Sequence, residues 1–135
     1  MPVELILIGH AQYPNGLKSV LEFVVGLEDN VYAYNIDENK EIDELKKELE
    51  THINNDKIKL IIADIPGGSP HQKAMELAIN SDNENVMIFA GLGTSMIIDL
   101  AIKALLLNPS SYQALKESCQ AVYENVASFS TFYKK

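Results

Sequence analysis

Four short apolar runs, each followed by a stretch of helical periodicity, limit this chain more than any other feature. Val3 to Ile8 is almost continuously apolar, as expected for a strand covered on both faces. Ile58 to Ala63 is the most apolar of the runs, and Asn85 to Ala90 is the fourth. Asn30 to Ile36 is poorer in apolar residues and suits an edge. After the first run, Leu17, Val20, Leu21, Val24 and Val25 fall at helical spacing between Gly16 and Val25, with Asn15 as cap and Gly26 as stop. Asp37 is expected to cap a second helix, in which Ile42, Leu45, Leu49 and Ile53 form the buried stripe. Ser69 and Gln72 fit a capping box, with Pro70 at the first position of a helix running to about Asn80. Gly91 to Ser95 leads into a fourth helix, from about Met96 to Leu107, with Ser95 as cap. Ser110 and Gln113 offer a capping box for a last helix to about Ala127. The tail from Phe129 to Tyr133 is aromatic and β-forming, and offers an extra C-terminal strand.

Repeated strand–helix units with short connections predict an α/β fold. The economical topology is a doubly wound, mostly parallel sheet in order 2-1-3-4, with helices on both faces. Residues 1–135 are expected to form a single domain, long enough to bury a core without disulfides or metal. Cys119 has no second cysteine to pair with, and Met1 to Glu4 lacks the basic start of a signal peptide. Both point to a cytoplasmic setting. A formal charge of −8 disfavours nucleic acid, since the basic clusters are only Lys46-Lys47 and Lys134-Lys135. One cysteine and three scattered histidines do not make a metal site. His52 is expected at the surface, and Met75, Met87 and Met96 as core filling.

In a doubly wound sheet the ligand site lies beyond the carboxyl ends of the strands, where the winding reverses. Here that point falls between strands 1 and 3, so Gly9-His10-Ala11 and Asp64 to Pro70 come together. His10 at a strand end would serve as a simple loop cap or, with Gly9 allowing close approach, as a nucleophile working near pH 7. Asp64 would cap the next turn or, within reach of His10, fix its tautomer and steady a positive imidazole product. Gly67-Gly68-Ser69-Pro70 would be a tight turn, or its N–H groups, the Ser69 hydroxyl and the helix start would hold a phosphoryl oxygen. The turn lacks the lysine of a nucleotide-binding loop, and no glycine fingerprint follows the first strand, so no nucleotide cofactor is implied. His71, near the same rim, would be a solvated residue at a helix start or a second nucleophile.

Together, Leu5-Ile6-Leu7-Ile8-Gly9-His10-Ala11, Gly16-Leu17, Ile61-Ile62-Ala63-Asp64-Ile65-Pro66-Gly67-Gly68-Ser69-Pro70 and Ala90-Gly91-Leu92-Gly93 resemble the EIIA domain of the mannose family. That family belongs to the bacterial phosphoenolpyruvate-dependent sugar phosphotransferase system. The resemblance spans roughly residues 3 to 107. It implies a phosphotransferase component that accepts a phosphoryl group from HPr on His10 and passes it to an EIIB domain, which serves a membrane permease. It implies Asp64 as orienting carboxylate, Ser69 in the phosphate-binding turn, and a homodimer in which the tail is exchanged in some members. Ala11 stands where glycine is common in the family, and Gly93-Thr94-Ser95-Met96 lacks the usual asparagine and proline. Three other readings stay open: an EIIA-like regulatory module whose phosphorylation is a signal, the related dihydroxyacetone-kinase phosphocarrier subunit, and a small-molecule-binding α/β domain in which His10 is structural.

Overall fold

The structure, a computed structural model, describes residues 2–135. In chain order it contains β1 (Val3–His10), α1 (Tyr13–Val25), β2 (Val31–Ile36), α2 (Ile42–Ile53), β3 (Ile58–Ala63), α3 (Ser69–Ile79), β4 (Val86–Ala90), α4 (Thr94–Leu105) and α5 (Tyr112–Glu124). A 3₁₀ turn, Val126–Phe129, follows α5. The strands pair in parallel in the order β2-β1-β3-β4, the doubly wound arrangement that the sequence predicts.

The apolar runs are continuous because alternate residues serve different cores. Val3, Leu5 and Leu7 of β1 join Ile58, Leu60 and Ile62 of β3 under α1, α4 and α5. Ile6, Ile8, Ile61 and Ala63 face the other way, against α2 and α3. A one-residue slip of either strand would interchange the two sets, so packing fixes the register that brings His10 and Asp64 to the same end.

Several details depart from the sequence expectations. α1 begins at Tyr13, with Gln12 rather than Asn15 at its cap, because Pro14 fits the first turn. Asp37 caps no helix. It closes a turn in which Asp37 and Lys40 exchange backbone hydrogen bonds, while its carboxylate accepts from Asn39 N–H. Glu41 therefore takes the cap position of α2. Ser111, not Ser110, caps α5, its hydroxyl accepting from Ala114 N–H at 3.0 Å. α4 starts at Thr94 behind Gly93, and Ser95 Oγ donates instead to Phe129 O, tying the helix start to the 3₁₀ turn.

The tail adds no strand among the described residues of this chain: Ser130 to Lys135 is irregular, with Phe132 and Tyr133 exposed. Met96 is buried, whereas Met75 is exposed. His52 is buried too. Its ring lies between Tyr34 Oη, 2.5 Å from Nε2, and Glu4 Oε1, 3.2 Å from Nδ1. Glu4 in turn pairs at 2.8 Å with Lys59, whose side chain is fully buried although it interrupts the most apolar strand. This cluster lies at the amino end of the sheet, opposite His10.

Candidate functional site

His10 is the last residue of β1, and Asp64 is the first residue after β3. The parallel register sets Ile8 beside Ala63, so the chain ends emerge side by side. Asp64 Oδ2 then reaches across to His10 and accepts twice, from the backbone N–H at 2.8 Å and from ring Nδ1 at 2.8 Å. Its other oxygen, Oδ1, accepts from Ile65 N–H at 2.8 Å. The carboxylate is nearly buried, while the His10 side chain keeps 43% of its surface open.

Glycine at position 9 makes this approach feasible. A Cβ there would stand 2.8 Å from Asp64 Cγ and 3.0 Å from Tyr13 Cδ1, so any side chain would displace the carboxylate. Burial alone would raise the Asp64 pKa, but hydrogen bonds from His10 and Ile65 outweigh it and hold the carboxyl below the usual aspartate range. An ionised Asp64 can only accept. Nδ1 of His10 must then carry the proton, which leaves the lone pair on Nε2.

The turn after Asp64 lies against the same ring. A Cβ on Gly68 would sit 3.3 Å from His10 Cε1. On the far side, a Cβ on Gly91, itself at φ +77, would meet Pro66 Cγ at 2.7 Å. The turn is thus packed between β1 and the loop after β4. Ser69 opens α3 but supplies no cap bond of its own, and Gly68 takes the cap position.

The glycine N–H groups are not free for a ligand. Gly67 N–H donates to His71 Nδ1 at 2.9 Å, and Gly68 N–H to Ile65 O at 2.9 Å. The unengaged donors at the helix start are the N–H groups of Ser69 and His71 and the Ser69 hydroxyl, since Pro70 has none. The role of His71 was missed in the sequence: it is half-buried and holds the turn. Its spacing of four residues from Gly67 was the available signal. The chain contains no arginine, and the one lysine of α3 near this end, Lys73, pairs with Glu76 at 3.1 Å.

This arrangement is a half-open imidazole with one nitrogen tied to a carboxylate and the other free, beside unpaired donors at a helix start. A family model described as EIIA-man, PTS system fructose IIA component, matches residues 4–122. The chain belongs to the EIIA-man family. A sorbose-specific EIIA component of the phosphotransferase system from Lacticaseibacillus casei is 26% identical over 104 residues, covering 76% of this chain and 74% of its own. In structure, the chain resembles a phosphotransferase system EIIA from Streptococcus agalactiae, with TM-score 0.78 at 19% identity, over 91% of this chain and 93% of that one. A mannose/sorbose-specific IIA subunit from Enterococcus faecalis gives TM-score 0.77 at 20% identity, over 100% of this chain and 97% of that one. The two structures show the shared fold. Family membership makes this chain a sugar phosphotransferase system component. No helix among the described residues is long and apolar enough to cross a membrane.

Proposed function

We propose that this EIIA-man chain carries a phosphoryl group on His10 Nε2, accepting it from phosphorylated HPr and passing it to an EIIB domain. The observation that supports the reading is the Nδ1–Asp64 contact at 2.8 Å, which leaves the only lone pair of the ring on the nitrogen away from the carboxylate.

In the forward step the Nε2 lone pair attacks the phosphorus of the donor's phosphohistidine. A new N–P bond forms as the donor's N–P bond breaks, and the bonding pair returns to the donor imidazole. The Nδ1 proton stays in its hydrogen bond to Asp64, so the positive charge that develops on the ring faces a carboxylate. The unengaged Ser69 donors then receive a phosphoryl oxygen at the start of α3. With neutral donors and no arginine or lysine clamp, the group is held without being trapped. The second transfer, to EIIB, reverses the same bond changes. The protein would act in the cytoplasm as a homodimer, serving its membrane permease through EIIB.

Incubation with phosphoenolpyruvate, enzyme I and HPr tests this. An acid-labile, base-stable adduct is expected on the wild type and not on His10→Ala. Labelling that survives this substitution, or none on the wild type, sinks the assignment.

A further inference from the structure

The turn beside His10 is held by side chains that follow it. Gly67, at φ +78, is gripped at both polar groups: its N–H donates to His71 Nδ1 at 2.9 Å, and its carbonyl accepts from Gln72 Nε2 at 2.6 Å. Both side chains come from the first turn of α3. The next residue, Gly68, faces the same ring: a Cβ there would stand 3.3 Å from His10 Cε1, the ring carbon between the two nitrogens.

From this geometry we propose that His71 is a positioning residue for phosphoryl transfer, acting on His10 through the Gly67-Gly68 backbone. The proposal rests on His10 being the phosphoryl acceptor. Gly67 is exposed, and glycine resists rotation of its peptide less than any other residue. The acceptor on His71 fixes the Pro66–Gly67 peptide and works together with the Gln72 bond to Gly67 O and the Gly68 N–H bond to Ile65 O to hold the wall along the ring edge. A nucleophile displaced by about 1 Å can lose on the order of a hundredfold in rate, so a fixed wall has kinetic consequences. The same bond removes Gly67 N–H from the ligand's reach, which leaves the phosphoryl oxygen the donors of Ser69 and the His71 N–H.

His71 is not a second phosphoryl acceptor in this state. A backbone N–H can only donate, so Nδ1 of His71 supplies its lone pair to Gly67 and the proton sits on Nε2. Only the uncharged ring can do this, because imidazolium has no lone pair to offer.

Asparagine and phenylalanine separate the acceptor from the ring. Asn Oδ1 occupies the same bonded position as His Nδ1, two bonds from Cβ, and accepts a hydrogen bond. Phe keeps the ring shape without an acceptor, and the ring borders an open hollow of about 410 Å³ with Pro66, Phe89 and Tyr123 that accommodates it. At saturating phosphorylated HPr, His71→Phe is expected to slow labelling about tenfold while the half-saturating concentration changes less than about twofold, and His71→Asn to recover most of the rate. The His10 Cε1–H resonance is expected to shift in His71→Phe and return in His71→Asn.

A wild-type rate in His71→Phe, no recovery in His71→Asn, or a change confined to half-saturation would each overturn the proposal, as would an unmoved resonance. If His71→Phe does not fold, His71→Ala takes its place in both comparisons. If the wild type is not labelled at all, the phosphocarrier reading falls, and the resonance comparison alone decides whether His71 positions His10.

Discussion

His10 and His71 use the same ring atom in opposite senses. Nδ1 of His10 donates to Asp64 Oδ2, whereas Nδ1 of His71 accepts from Gly67 N–H. Two histidines at one rim are thereby held as opposite tautomers, with the lone pair outward on the first and N–H outward on the second. Nitrogen-15 correlation spectra of the imidazoles at about pH 8, where free imidazole is uncharged, should display both patterns. An Nε2–H tautomer at His10 would contradict the assignment of the nucleophile, and an Nδ1–H tautomer at His71 would contradict its bond to Gly67.

Asp64 should matter for the rate more than for the fold. Asp64→Asn keeps one acceptor near His10 but removes the charge that faces the developing imidazolium. Substitution of the carboxylate in another histidine–carboxylate pair costs about 10⁴-fold, so a loss on the order of 10²-fold or more is expected here. The sign of the pH effect follows from the direction of its shift. A carboxyl held below its unfolded value of 3.8 contributes stability above that pH and loses it as pH falls through the folded value. Urea melts of the wild type and Asp64→Asn should therefore differ from neutral pH to about 4 and converge below it. Convergence already near neutrality would remove the ionised pair from the account.

Ala11 adopts φ +53, the left-handed region that disfavours a Cβ, directly after His10. Its N–H donates to Ile36 O at 2.8 Å, which holds the backbone there. The strain of such a residue is roughly 1–2 kcal/mol, and glycine gives back part of the gain as extra freedom in the unfolded chain. Ala11→Gly should stabilise the protein by about 0.5–1 kcal/mol, raising the melting midpoint by about 2–4 °C. A lower midpoint would show that the conformation is not strained.

The sequence exposed the periodic pattern of buried positions and the order of elements, and concealed which hydrogen-bond partners most polar groups take. Strands β1 and β3 were legible as apolar runs because both their faces are covered, and the order of pairing followed from the alternation of elements. That order placed His10 and Asp64 at one end, and the structure brings them to 2.8 Å. Helix starts were legible only to within a few residues, because Asp37 had a turn to close and Pro14 could enter α1. His52 read as a surface residue since its partners, Tyr34 and Glu4, lie 18 and 48 positions away. The glycine turn read as a run of free donors although Ile65 and His71 lie only three and four positions from Gly68 and Gly67, because spacing alone does not separate an engaged N–H from a free one.

The concealed cluster at the amino end of the sheet carries a large share of the risk to stability. Glu4 and Lys59 are register partners on adjacent strands, with side chains 7% and 0% exposed, and His52 shares the Glu4 carboxylate. Burial works to raise the Glu4 pKa, yet hydrogen bonds from Lys59 and His52 prevail and lower it. Lys59→Met would leave that carboxylate buried with its strongest partner gone. Losing one member of a buried pair costs about 3–5 kcal/mol, whereas replacing both members by apolar groups of similar volume is often neutral. Denaturant melts should therefore find Lys59→Met strongly destabilised, and the double variant Glu4→Leu with Lys59→Met less so. Phosphoryl acceptance by the folded fraction should be unchanged, because the cluster lies at the opposite end of β1 from His10. Additive losses in the double variant would mean that the two charges do not stabilise each other across the strands.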